Sequence, residues 1–292
     1  MKKYNARKLF HIDNIKVTKN DNYFYLKRKS DEEIFKLYYK KSLSSNEEML
    51  FKPGDLDLDD KNPFAIYDYA PDWEGNKIAI ALASRGSDKM QIVIYDLQTK
   101  SILPQIIKNC FNASSQIASW LPDNKGFLYL AYNGDTSQNI NSLLNTKTMY
   151  YKIGDDVADA IDVFSKAICL NFNIKAEDFP NVSFGNQTNK YLVGVASGPN
   201  SFDDGFYLKI EDFYKGKINW KPLYKKEHKV IRGTFVDDDF VFISVNNAPN
   251  GNISKINLHN PDFNSSEKLV QEKNDEVIQD FKVTSSGLYY NT

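Results

Sequence analysis

The 292-residue chain carries 37 Lys/Arg against 38 Asp/Glu, and its formal net charge of −1 excludes the dominant basic field of a general nucleic-acid binder. Aromatic residues make up 14% of the chain, which favours strands over helices. Two cysteines, Cys110 and Cys169, exclude a disulfide framework and offer no metal spacing. The start MKKYNARKLF has no apolar run behind it, and IAIALA is far too short to span a bilayer. The expectation is therefore a cytoplasmic protein with no cofactor, no metal, no membrane and no nucleic-acid partner.

The charge is uneven along the chain. Residues 1–52 hold 13 Lys/Arg against 7 Asp/Glu, a local excess of +6 that leaves −7 for the remainder. The bases sit among aromatics, as in YLKRK and YYKK. Alternation along strands, Lys outward and Tyr or Leu inward, accounts for this better than an RNA-binding face.

In chain order, one pattern recurs. A turn rich in Asp, Asn, Gly or Lys leads into a short aromatic-aliphatic strand: NDNYFYLKR, EGNKIAIALAS, NKGFLYLAY, TNKYLVGVASG, DDDFVFISV and SSGLYYNT. These strands are expected to start at Tyr23, Lys77, Phe127, Tyr191, Phe240 and Leu288, in steps of 54, 50, 64, 49 and 48 residues. A strand ending in the turn precedes several of them (AIYDYAPDWEG, QIASWLPDNKG, VIRGTFVDDD, VIQDFKVTSSG). An alternating strand follows (IFKLYYKKS, QIVIYDLQT, TMYYKIGDD, GFYLKIEDF, ISKINLHN). A more charged fourth strand closes each unit (EMLFKPG, ILPQIIK, AIDVFSK, NWKPLYKK, EKLVQEK). Four antiparallel strands repeating near fifty residues predict an all-β propeller built of four-stranded blades. A β-sandwich, which also uses short, evenly spaced strands, fits the fixed strand order less well.

The expected blades are 11–52, 64–108, 115–166, 180–226, 230–272 and a partial 277–292, within a single domain over 1–292. That is about five complete blades plus part of a sixth, an incomplete propeller of the seven-bladed type. The pattern stops at Thr292 in mid-blade, so a truncated propeller is expected, its missing blades absent or supplied from elsewhere. Unpaired blade edges of this kind favour association.

The search for catalytic chemistry returns little. A nucleophile elbow needs Gly-x-Ser-x-Gly, because small flanking residues permit the strained turn. The only glycines four apart, Gly194 and Gly198 in GVASG, put Ser197 one place too late. Ser87, between Gly86 and Asp88 in SRGSDK, lies at a strand-to-strand turn. A serine there would need a base and an orienting acid, and the histidines His11, His228 and His259 all read as turn or surface residues. The acidic runs DLDLDD (Asp55–Asp60) and VDDD (Val236–Asp239) lack the spacing of a calcium loop and read as solvated turns. No catalytic residue is expected in this chain.

The propeller pattern and several local motifs together resemble the N-terminal β-propeller of prolyl oligopeptidase-type serine peptidases. The resemblance is carried by YDYAPDWEGNKIAIALASRGSDKMQIVIYDLQTKSILP. Its Gly86-Ser87-Asp88 matches the family's Ser-x-x-Gly-Ser-Asp corner with one residue fewer after Ser84, and Leu103-Pro104 matches its outer strand. It continues in ASWLPDNKGFLYLAY, in the polar insertion leading to Tyr150-Tyr151, and in KLVQEKNDEVIQDFKVTSSGLYY. The resemblance implies a seven-bladed propeller that covers an α/β-hydrolase domain and admits only short peptides. The Ser-Asp-His triad would lie in that domain, which this chain does not match. By resemblance, Ser87 and Asp88 would occupy a blade corner facing the hydrolase, with Asp88 able to pair with one of its arginines. Lys89 follows where the family often has an aromatic. The places from which the family extends residues towards substrate hold NASSQ (Asn112–Gln116) and SGPNSF (Ser197–Phe202). The implied function is the non-catalytic, access-gating part of an endopeptidase for short proline-containing peptides. Its implied partner is the hydrolase domain, in the same or a separate chain. The alternative is a stand-alone propeller scaffold for protein binding, with the loop Asn133–Lys147 as its contact.

Overall fold

The structure is a computed structural model that describes residues 9–56, 64–84, 89–111, 116–133 and 140–292. Nearly every described element is a β-strand, and the strands follow one another as antiparallel meanders. The first meander is β1 (Phe10–Val17), β2 (Tyr23–Lys29), β3 (Lys36–Lys40) and β4 (Glu48–Phe51), hydrogen-bonded in that order. The second comprises β5 (Phe64–Pro71), β6 (Lys77–Ser84), β7 (Met90–Asp96) and an outer strand in two pieces, β8 (Ser101–Ile102) and β9 (Ile107–Phe111). The third holds β10 (Ser119–Trp120), β11 (Gly126–Ala131), β12 (Lys147–Lys152) and β13 (Ile161–Phe164). Two further four-stranded sheets follow: β14 (Phe179–Ser183), β15 (Tyr191–Ser197), β16 (Gly205–Lys209) and β17 (Lys221–Tyr224); then β18 (Val230–Val236), β19 (Asp239–Ser244), β20 (Asn252–Asn257) and β21 (Glu267–Val270). A hairpin, β22 (Asp280–Thr284) with β23 (Gly287–Asn291), comes last.

The turns form as their composition dictates. Those between first and second strands place Asp21, Gly75, Asn124 and Asp237 at positive φ of 57°, 77°, 55° and 54°. Asp, Asn and Gly are the residues that enter this region at least cost. The second of these turns is also tied by Asp72, whose carboxylate accepts the backbone N–H groups of Asn76 at 2.7 Å and Lys77 at 3.0 Å.

The outer strand of the second meander breaks at Pro104, which has no N–H to give the ladder. Beyond the break β9 joins the second and third meanders into one nine-stranded sheet: Cys110 lies opposite Met90 on β7 and Ala131 on β11. Asn109, at φ 57°, sits at the register shift between Ile107 and Cys110 in the pairing with β7. A second departure from a plain meander follows β16, where GFYLKIEDF reads as one strand. The strand ends at Lys209 and one helical turn, Ile210–Tyr214, replaces its tail. Ile210 and Phe213, three residues apart, are both buried, and Glu211 and Asp212 suit a helix start.

By contact the chain forms two compact units, Met1–Asp135 with Tyr150–Ile161, and Thr136–Met149 with Asp162–Thr292. In the first, β6 is a central strand whose Ile78, Ile80 and Leu82 pack with Phe24, Leu26 and Leu37 of the preceding meander. Its intervening Ala79 and Ala81 are equally buried on the other face. In the second unit, β19 divides its side chains the same way. Phe240 and Phe242 join Tyr191, Leu223 and Tyr224 of the sheet before it, and Val241 and Ile243 join Phe281 of the hairpin after it and Ile278 just ahead of that hairpin. The period of two thus feeds two cores from one strand.

Candidate functional site

The first strands of successive meanders are joined by a polar network in the first unit. Asp68 on β5 is 6% exposed. Its Oδ1 accepts from Asn14 Nδ2 and Lys16 Nζ, each at 2.9 Å, and its Oδ2 accepts the backbone N–H of Ile117 at 3.1 Å. Lys16 also donates to the Tyr69 carbonyl, and the Tyr69 hydroxyl to the Asn14 carbonyl. Burial and the neighbouring Asp68 hold the Tyr69 phenol far above its ordinary range, so it stays a donor. Indole N–H groups repeat the device between other pairs. Trp120 donates to the Ala70 carbonyl at 2.8 Å and Trp73 to the Trp120 carbonyl at 3.1 Å; in the second unit Trp220 donates to the Val163 carbonyl at 2.7 Å. Buried charge is tolerated at Asp68 because three donors meet it.

The corner singled out by the sequence, Gly86-Ser87-Asp88, lies outside the described residues, as do Asn112–Ser115 of NASSQ. The strands on either side are described: Ala83 on β6 pairs with Met90 on β7, the second and third strands of their meander. Most of DLDLDD also lies outside the described residues. Asp237 and Asp238 form the turn between β18 and β19, where Asp238 accepts from the Tyr191 hydroxyl at 2.6 Å and Lys190 Nζ at 3.2 Å.

The three histidines lie on different elements. His11 lies on β1 opposite Arg28. His228 stacks on Phe263 with ring centroids 4.2 Å apart, and its Nδ1 accepts the Lys225 backbone N–H at 3.1 Å. His259 is 82% exposed, 4.0 Å from Asp238. Among the described residues no histidine ring bonds to a serine hydroxyl, and no group of three or more His, Cys, Asp or Glu side chains could hold a metal. Ser197 ends β15 opposite Phe179, with no helix after it. Both cysteines are free and buried. Burial pushes the Cys169 thiol up to about 11, and the Cys110 thiol further, so neither supplies a thiolate near neutral pH. The Asp68 network was missed in the sequence; its one signal was a lone Asp within the apolar strand AIYDYA.

Against known proteins, residues 6–291 match the family model described as prolyl oligopeptidase, N-terminal β-propeller domain. The chain belongs to this family. Its fold is the all-β propeller of four-stranded antiparallel blades, about five complete and part of a sixth. Among curated proteins it is similar to a prolyl endopeptidase of Elizabethkingia miricola, 23% identical over 280 residues, covering 93% of this chain and 36% of that protein. It is also similar to one of Elizabethkingia meningoseptica, 21% identical over 278 residues with the same coverage. Among solved structures, a prolyl endopeptidase from work on inter-domain dynamics in two such enzymes superposes with a TM-score of 0.79 at 18% identity, covering 97% of this chain and 39% of that one. Prolyl oligopeptidase B from Galerina marginata, without ligand, gives 0.76 at 15% identity, covering 94% and 39%. The chain therefore spans little more than a third of the length of these relatives. No helix among the described residues is long and apolar enough to cross a membrane.

Proposed function

We propose that this chain is the access-controlling propeller portion of a prolyl oligopeptidase-like serine endopeptidase for short proline-containing peptides. The observation that carries the reading is the family match over nearly the whole chain, together with its 36% share of the prolyl endopeptidases it matches. Ser-Asp-His chemistry is supplied by an α/β-hydrolase domain, and the propeller excludes long chains from it. Asp88 pairs with an arginine of that domain; a partly buried pair of this kind orients two surfaces more than it stabilises them.

The test combines this chain with the separately produced hydrolase domain of a prolyl endopeptidase relative. A Gly-Pro chromogenic dipeptide and a peptide of about thirty residues with one internal proline serve as substrates. The chain alone is expected to turn over neither. Added to the hydrolase domain, it is expected to suppress cleavage of the long peptide while sparing the short one, and Asp88→Ala to weaken that suppression. Equal cleavage with and without the chain would overturn the gating role in favour of a stand-alone binding scaffold. Turnover by the chain alone, abolished in Ser87→Ala, would overturn the non-catalytic reading.

A further inference from the structure

Beside the sheet β18–β21, within the second unit, lies a cavity of about 220 Å³. Its floor extends a face that is otherwise core. Phe240, Phe242 and Ile256 on this face belong to the apolar cluster, but the next positions by the period of two are Ser244, Asn252 and Ser254. These three are 5%, 7% and 1% exposed. Core positions carrying buried hydroxyls and an amide are costly unless each finds a partner.

The partners are only part of what these groups can make. Ser244 Oγ donates to the His228 carbonyl at 2.6 Å and accepts the Asn246 N–H at 3.1 Å, and Ser254 Oγ donates to Asn252 Oδ1 at 3.0 Å. The second bond fixes the Asn252 amide with its oxygen occupied, and Asn252 Nδ2 makes no hydrogen bond among the described residues. His228 forms one wall. Because its Nδ1 accepts the Lys225 N–H, the ring proton sits on Nε2, and stacking on Phe263 fixes the ring plane. Lys268, opposite Ser254 on β21, lines the cavity and makes no ion pair among the described residues. No carboxylate lines it. The acidic groups that act on His228, Glu227 and Asp204, stand outside the lining, and Asp204 accepts the Lys226 backbone N–H at 2.8 Å.

A cavity with one unpaired cation, several neutral donors and no acid is complementary to negative charge on oxygen. Its volume equals roughly seven waters at about 30 Å³ each, which limits the ligand to a small molecule. We propose that this cavity binds a small oxyanion, a carboxylate or phosphate group, with Lys268 supplying the charge and Asn252 Nδ2 and His228 Nε2–H the neutral donors. The site is independent of peptide gating.

The experiment titrates the intact chain with inorganic phosphate and, separately, with acetate, at constant ionic strength set with chloride, and follows backbone amide NMR shifts. Saturable shifts centred on Asn252, Ser254 and Lys268 are expected. Lys268→Met should weaken binding about tenfold, the loss of one charge-assisted bond. Lys255→Met should leave it unchanged, because Lys255 on the same sheet already pairs with Asp239 and Glu267. Tighter binding of phosphate than of acetate assigns the site to phosphorylated ligands, and the reverse order to carboxylates. Because Lys268 is exposed, its replacement leaves the fold intact, and the unperturbed spectrum of the variant checks this. Shifts that do not saturate, or that persist unchanged in Lys268→Met, would overturn the proposal.

Discussion

Asp68 shows how one residue can tie three successive meanders. Its carboxylate receives Asn14 and Lys16 from β1 and the Ile117 N–H that leads into β10. Asp68→Ala removes the acceptor, leaving the Lys16 ammonium with the Tyr69 carbonyl but no counter-charge and the Asn14 and Ile117 N–H groups without their partner in a mostly buried place. The expected loss is about 3 kcal/mol of unfolding free energy, read by urea denaturation. His228 gives a prediction of opposite character. Burial lowers its pKa below the ordinary histidine value, with Lys225 adding to the effect and Glu227 and Asp204 opposing it. A base that is harder to protonate when folded takes up more protons in the unfolded state. Stability therefore rises with pH up to the ordinary histidine range and falls as pH drops through the lowered value. The loss of melting temperature between pH 8 and pH 5 is expected to be smaller in His228→Gln than in the parent; equal losses would show that His228 is not the group responsible.

At the scale of the strand, three glycines explain why aromatic residues recur where they do. Added Cβ atoms at Gly126, Gly205 and Gly233 would overlap Tyr150, Tyr224 and Phe240 respectively. Each ring lies over a glycine, and Gly205 and Tyr224 are direct cross-strand partners. Gly233→Ala is expected to cost about 1–3 kcal/mol by overpacking. Phe240→Ala, at a fully buried ring in contact with Tyr224, Phe235 and Phe242, is expected to cost about 3–5 kcal/mol. Because the two changes share one contact, the double variant should lose less than the sum of the single losses. Most strand positions were legible in sequence, because turn residues and period-two alternation act locally. The expected starts at Tyr23, Lys77 and Tyr191 coincide with β2, β6 and β15, while β11, β19 and β23 start one residue earlier than expected. The break at Pro104 and the helical turn at Ile210 were not foreseen. ILPQIIK still alternates well enough to read as one strand, and Ile210 and Phe213 reveal a period of three only once their burial is known.

For the whole molecule, both thiols lie in the interior and form no disulfide. The native chain is expected to react slowly with a thiol-specific chromogenic disulfide reagent and to release two equivalents in guanidinium, with a melting temperature indifferent to reductant. Rapid native labelling of Cys110, which lies between β7 and β11, would show that the junction made by β9 opens readily. The propeller family is carried by strand order and spacing over the whole length, at only 23% identity to a curated relative. Such order survives divergence because each blade needs only alternating apolar positions and a permissive turn, which many side chains satisfy.

The repeat, the strand positions, the turn chemistry and the family were determined by the sequence alone, since each depends on neighbours a few residues apart or on a spacing that can be counted. The tertiary structure alone decided which polar residues meet: Asp68 with Lys16 and Ile117, and Ser244, Asn252, Ser254, His228 and Lys268 around one cavity. The partners of Asp68 lie 52 and 49 residues away along the chain and the cavity groups come from three neighbouring strands and the turn before them, and their grouping follows from which face of each strand turns towards its neighbour, something no local pattern specifies.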